Sequence, residues 1–74
     1  MKTLADCKPG DIVYVKKIHR MDALGRRMMA MGILKGTMVE VCKEAPLKDP
    51  IEIRVRGSMV SIRRMDAAII EVSD

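Results

Sequence analysis

Ile51-Glu52-Ile53-Arg54-Val55-Arg56-Gly57-Ser58-Met59-Val60-Ser61-Ile62 is the stretch whose reading decides the fold. Ile51, Ile53 and Val55 alternate with Glu52, Arg54 and Arg56. Successive side chains on a strand point to opposite faces, so this segment has one apolar face and one charged face. It predicts a half-buried strand. Gly57-Ser58 reads as a two-residue Gly-X hairpin loop that returns the chain into a second strand, with Val60 and Ile62 on the core side.

Outward from this hairpin the same period recurs. Pro9-Gly10 is a turn signal, and Ile12-Val13-Tyr14-Val15 after it has the β-branched and aromatic content of a first strand. After Lys35-Gly36, Val39 and Val41 face one way while Met38 and Glu40 face the other. Ala45 to Pro50 holds two prolines, which lack N–H donors, so it is a loop and not a central strand. Ile69-Ile70-Glu71-Val72 supplies a last strand after one helical turn over Met65 to Ala68. Five short strands in 74 residues do not suffice for two stacked sheets. They suit one small, strongly bent barrel burying a common face.

Between the first two strands the period changes. Leu24, Met28 and Met31 fall at i, i+4 and i+7, the spacing of one helix face, with Asp22 as N-cap and Gly32 just past the end. Gly25 inside this helix costs about 1 kcal/mol relative to alanine, so packing must hold the helix.

Composition bounds the rest. A domain of this length buries only about 60% of the surface its unfolded chain exposes, so one core and one domain over residues 1–74 are expected. Hydrophobic residues at 49% supply that core, and charged residues at 32% supply a soluble surface. No run approaches the roughly 18 apolar residues of a membrane span, and no secretory pattern follows Met1, so a cytoplasmic location is expected. Cys7 and Cys42 form no C-x-x-C pair or disulfide framework and read as reduced structural thiols. Fourteen Lys and Arg against ten Asp and Glu give a net charge of +4. The basic residues cluster at Lys16-Lys17 with Arg20, at Arg26-Arg27, at Arg54 with Arg56, and at Arg63-Arg64. Such clusters are either solvated faces or surfaces for an acidic partner.

Three stretches together resemble one known family. They are Leu24 to Gly36 with its Met31-Gly32-Ile33 step, Glu44 to Gly57, and Ser61 to Val72. The match to the FeoA family runs from Leu4 to Val72 without gaps, with Gly32, Gly36, Pro46, Asp49, Pro50 and Gly57 as its structural signature. The resemblance implies a mainly β chain, a small SH3-like β-barrel of about five strands with one short α-helix inserted after the first strand. It also implies a cytosolic accessory protein that docks on the cytosolic GTPase region of the FeoB ferrous-iron transporter and modulates its GTPase or transport activity. Gly25 departs from the family, whose members often carry a polar or charged residue there, and methionines replace several leucines. Leucine-to-methionine swaps conserve volume and typically cost under about 1.5 kcal/mol, so the fold tolerates them. A weaker likeness extends to the SH3-like domains of iron-dependent repressors.

The chemistry in the sequence points the same way. One histidine, no nucleophile motif and no phosphate-binding loop argue against an enzyme. His19, beside Lys17 and Arg20, reads as a surface side chain. Asp66, Glu52 and Glu71 lie on different segments, so no iron site, other metal site or cofactor is expected. Met28, Met29 and Met31 are candidate soft ligands for copper, but Met28 and Met31 lie on the apolar helix face and read as core filling in a chain without Phe or Trp. Binding of single-stranded RNA is the rival from another class, but its usual base stacking has only Tyr14 to use. For a protein partner two places stand out: Leu47 at the tip of the proline-braced loop, and Met29 with Arg26 and Arg27 on the outer face of the helix. Open strand edges leave homo-oligomerisation as a further possibility.

Overall fold

The computed structural model describes residues 1–74. Five antiparallel strands form one sheet: β1 (Ile12–Ile18), β2 (Met38–Glu44), β3 (Ile51–Val55), β4 (Ser58–Ile62) and β5 (Ile70–Ser73), in the order β4-β3-β2-β1-β5. Helix α1 (Ala23–Ala30) joins β1 to β2, and one helical turn, α2 (Arg64–Ala67), joins β4 to β5. All five strands deliver side chains to a single core. Val13 and Val15, Val39 and Val41, and Ile51, Ile53 and Val55 are buried in alternation, joined by Ile62, Ile70 and Val72. A sheet whose strands all face one core must curl. Irregularities between Val15 and Lys17 and between Val41 and Lys43 accentuate that coiling.

The strands and helices stand close to where the sequence places them; α2 begins one residue before Met65 and β5 one residue after Ile69, and β1 and the hairpin also differ. Strand β1 continues through Lys16-Lys17-Ile18, where the apolar alternation lapses, because its irregular pairing with β5 carries the ladder on to Ile18↔Ile70. The hairpin loop is Arg56-Gly57, one residue earlier than Gly57-Ser58. Arg56 and Gly57 both have positive φ, 52° and 82°, as a type I′ turn requires, and its twist matches that of the strands it joins.

The N-terminal segment is an unforeseen part of the core. Leu4 and Cys7 are fully buried beside a 3-10 turn over Leu4–Asp6, and Thr3 bridges to Glu71 on the outer edge of β5. The Val72 N–H also donates to the Lys2 carbonyl, so this edge of the sheet is covered.

Helix α1 begins at Asp22, whose carboxylate accepts the Gly25 N–H at 3.4 Å. The Arg20 guanidinium beside it holds the Asp22 carboxyl below its usual range. The glycine at 25 has a packing reason. A Cβ there would overlap the Arg20 carbonyl oxygen, so the chain entering the helix lies directly against its first turn. The helix ends on Met31, and Gly32 follows at φ +95°, the left-handed position that stops a helix.

Candidate functional site

Helix α1 carries three of the residues singled out from the sequence. Arg26 and Arg27 are exposed with no carboxylate at ion-pair distance, and the Arg26 guanidinium donates to the Met21 carbonyl at 3.3 Å. Met28 is buried in the core, with Leu24 and Met31 packed at its margin. Met29 is half-buried and turns into a groove between the helix and β1.

This groove is the largest concavity on the molecule, about 360 Å³ and open to solvent. Ile33, fully buried, lies deepest, with Ile18 and Met29 half-buried and Met21 and Leu34 more exposed. Lys16, Lys17 and Lys35 complete the lining, and no acidic side chain takes part. Met21 is 76% exposed and Leu34 39%, high values for large apolar side chains. Sequence periodicity does not reveal the groove, because its residues come from β1, from both connections of α1 and from the helix. The sequence signal that remained was the excess of apolar residues, Met21 and Leu34, outside any predicted element.

Leu47 stands at the other end of β2, in the tight turn over Pro46–Lys48. Its side chain is 98% exposed, and its backbone is left-handed at φ 67°, as is that of Lys48 at 66°. A β-carbon makes this conformation costly, and such outliers persist only where the surroundings impose them. Here the surroundings are a hydrogen-bonded clamp. The Ala45 N–H donates to the Pro50 carbonyl, and the Arg64 N–H donates to the Asp49 carboxylate at 2.9 Å. The Arg64 guanidinium donates to the Lys48 carbonyl at 2.7 Å, to the Glu44 carboxylate at 2.8 Å and to the Ala5 carbonyl at 2.5 Å. Arg64 thus belongs to the fold, not to a free basic face. The signature residues Pro46, Asp49 and Pro50 all sit in this turn, while Gly32, Gly36 and Gly57 take positive φ at the exits of α1, the approach to β2 and the hairpin.

The titratable groups are arranged for structure. His19 Nε2 donates to Glu71 at 2.7 Å, Lys16 lies 3.6 Å from the same carboxylate, and the histidine above all pulls the Glu71 carboxyl below its ordinary value. Burial pushes the Cys7 thiol up, keeping it protonated and unreactive, and its Sγ lies 3.7 Å from the Thr3 carbonyl. No three His, Cys, Asp or Glu side chains converge as a metal site. Tyr14 is 44% exposed on β1 without an aromatic neighbour in the sequence to stack beside it. No helix is long and apolar enough to cross a membrane.

Comparison with known proteins adds a family to this geometry. The family model described as "FeoA domain" matches residues 2–74. The chain is 35% identical over 69 residues to a fusion protein of Fe(2+) transport protein A with the Fe(2+) transporter FeoB from Porphyromonas gingivalis. That match covers 93% of the chain but only 8% of the fusion protein. Among solved structures, a FeoA-like protein from Clostridium acetobutylicum superimposes with a TM-score of 0.89 at 34% identity, covering 96% of this chain and 83% of that one. FeoA of Stenotrophomonas maltophilia, an SH3-domain protein solved with zinc, shares the fold with a TM-score of 0.76 at 24% identity, over 99% and 91% of the two chains. The bent five-stranded sheet is therefore an SH3-like barrel.

Proposed function

This chain belongs to the FeoA family, and from that premise we propose that it is a non-catalytic accessory protein of ferrous-iron uptake. It docks on the cytosolic GTPase region of a FeoB-type transporter and modulates that protein's GTPase or transport activity. It works in the cytoplasm and reaches the membrane through its partner. The relative in which both proteins form one polypeptide supports the choice of partner, since fusion keeps them at high effective concentration.

The observation that carries docking is Leu47. A large apolar side chain, 98% exposed and held in a left-handed turn, costs the fold something and gives it no core contact in return. A partner pocket that receives it accounts for both features. Arg26 and Arg27, without carboxylate partners of their own, supply the charge for a second contact. Strand β2 separates the two places. Its seven residues at about 3.3 Å each make a contact spanning roughly 20 Å, so the two need not act together.

Titration of the chain against the purified cytosolic region of the transporter, with single-stranded RNA as control, tests the reading. Saturable binding to the transporter alone, weakened in Leu47→Ala or in the Arg26→Ala/Arg27→Ala double variant, is the expected result. Unchanged affinity in both variants removes these surfaces, and binding to RNA alone removes the reading.

A further inference from the structure

The insertion of α1 between β1 and β2 does more than cover the sheet. Its two connections, Met21 on entry and Ile33-Leu34-Lys35 on exit, stand off from β1 and leave the groove lined by Ile18 and Met29. We propose that this groove binds a short amphipathic helix of a partner protein, one with large aliphatic side chains on one face and acidic residues along its edges. The source of that helix rests on the docking reading above; its chemistry rests on the groove alone.

Three observations fix the occupant. First, charge: three lysines line the groove with no acidic residue among them, and of the three only Lys16 has a carboxylate at ion-pair distance. The unsatisfied field of Lys17 and Lys35 selects an acidic rim on whatever enters. Second, backbone: where β1 lines the groove, at Lys16 to Ile18, it pairs with β5 alone, because its ladder with β2 ends at Tyr14↔Met38 and its last bonds to that side, at Val15, go to Gly36 and Thr37; the edge left open is three residues long and follows the irregularity between Val15 and Lys17. So short and irregular an edge would leave most N–H and C=O groups of an extended peptide unpaired, whereas a helix brings its own hydrogen bonds. Third, shape: Ile33 is fully buried in a concavity where Ile18 and Met29 are half-buried, and of its apolar residues only Met21 and Leu34 are exposed. Side chains of a helix fill a concave floor. A lipid surface instead favours a face that projects its apolar side chains outward. Met21 and Met29, unbranched and flexible, adapt to the side chains they receive.

The test uses the full chain with its methionine methyls labelled for NMR. The probe is a synthetic helix of about fifteen residues, long enough to be helical when packed, with leucines on one face and glutamates along both edges. Saturable shifts of the Met21 and Met29 methyls, with Met59 and Met65 unmoved, are expected. A version with lysines in place of the glutamates should not bind. The Lys17→Glu/Lys35→Glu variant should bind the acidic probe at least ~10-fold more weakly. Both lysines are exposed, so the fold persists, and the buried Met28 methyl verifies that it does. No saturable shift up to about millimolar probe, a typical limit for weak association, overturns the proposal. So does equal binding of the acidic and basic probes, or movement of the same methyls by anionic vesicles but not by the probe. The same chain is titrated in parallel with the transporter's cytosolic region. Loss of that binding with the probe still seated in the groove sinks the docking reading and leaves the groove standing, and the converse result does the opposite.

Discussion

Arg64 donates to the Lys48 and Ala5 carbonyls and to the Glu44 carboxylate, while its own backbone N–H donates to Asp49. One side chain thereby ties the turn before β3 to β2 and to the N-terminal segment, and a planar fork of donors is what makes this possible. Truncation leaves several partly buried acceptors unpaired, so Arg64→Ala should lose about 2–3 kcal/mol of stability by urea unfolding. Arg64→Lys should recover only part, since a single ammonium cannot reach all three groups. Nothing in the Arg63-Arg64 pair distinguishes it from the solvated pairs elsewhere, because the partners are 15 to 59 residues away in sequence. Leu47 reverses the relation between fold and contact. Asparagine tolerates the left-handed backbone that leucine resists, so Leu47→Asn should stabilise the domain by about 0.5–1 kcal/mol while weakening binding to the transporter region. Stabilisation without any loss of binding would show that the exposed side chain has no partner. The exposure of Leu47 was legible from its place between two prolines; the strain beneath it was not.

Among the elements, β3 was the most legible, since its alternation survives intact into the buried Ile51, Ile53 and Val55. Helix α1 was legible in its cap, stripe and stop, but Gly25 looked like a defect. Helix propensity predicts that Gly25→Ala gains about 1 kcal/mol. The Arg20 carbonyl lies where the new methyl would go, so the sign should invert, with a loss of about 1–3 kcal/mol measured by thermal unfolding. A gain in Tm would show that the entry to α1 yields easily. The hairpin position was misread by one residue because glycine is the stronger turn signal, yet the I′ geometry also asks Arg56 to take positive φ. Strands β1 and β5 carry a pH dependence. The hydrogen bond from His19, aided by Lys16, favours the ionised form of Glu71 in the folded chain. That contribution is full above the ordinary glutamate value of 4.5 and is lost as pH falls through the lower folded value. Acidification below that range should therefore destabilise the native chain more steeply than Glu71→Gln, in unfolding followed by circular dichroism; parallel profiles would mean that the contact contributes nothing.

Across the whole molecule the charges are unevenly satisfied. At the α2 end Arg64 is spent on Glu44 and on carbonyls, and Lys2 pairs with Asp74. At the α1 end Lys17, Arg26, Arg27 and Lys35 have no carboxylate at ion-pair distance and the groove has no acidic lining, so this end presents unpaired positive charge. A field of this kind steers encounter more than it strengthens the final contact, and it reaches about 10 Å at 0.1 M salt but only about 3 Å at 1 M. The apolar contacts at Leu47 and in the groove feel salt little by comparison. Raising salt from about 0.05 M to about 0.5 M should therefore slow association with the transporter region by roughly tenfold or more and leave dissociation nearly unchanged, as read by stopped-flow mixing. Arg26→Ala/Arg27→Ala should flatten that salt dependence, whereas Leu47→Ala should keep it and speed dissociation instead. If both variants change the same rate constant, the two ends of the molecule meet one continuous partner surface, and the division into a steering end and an anchoring end fails.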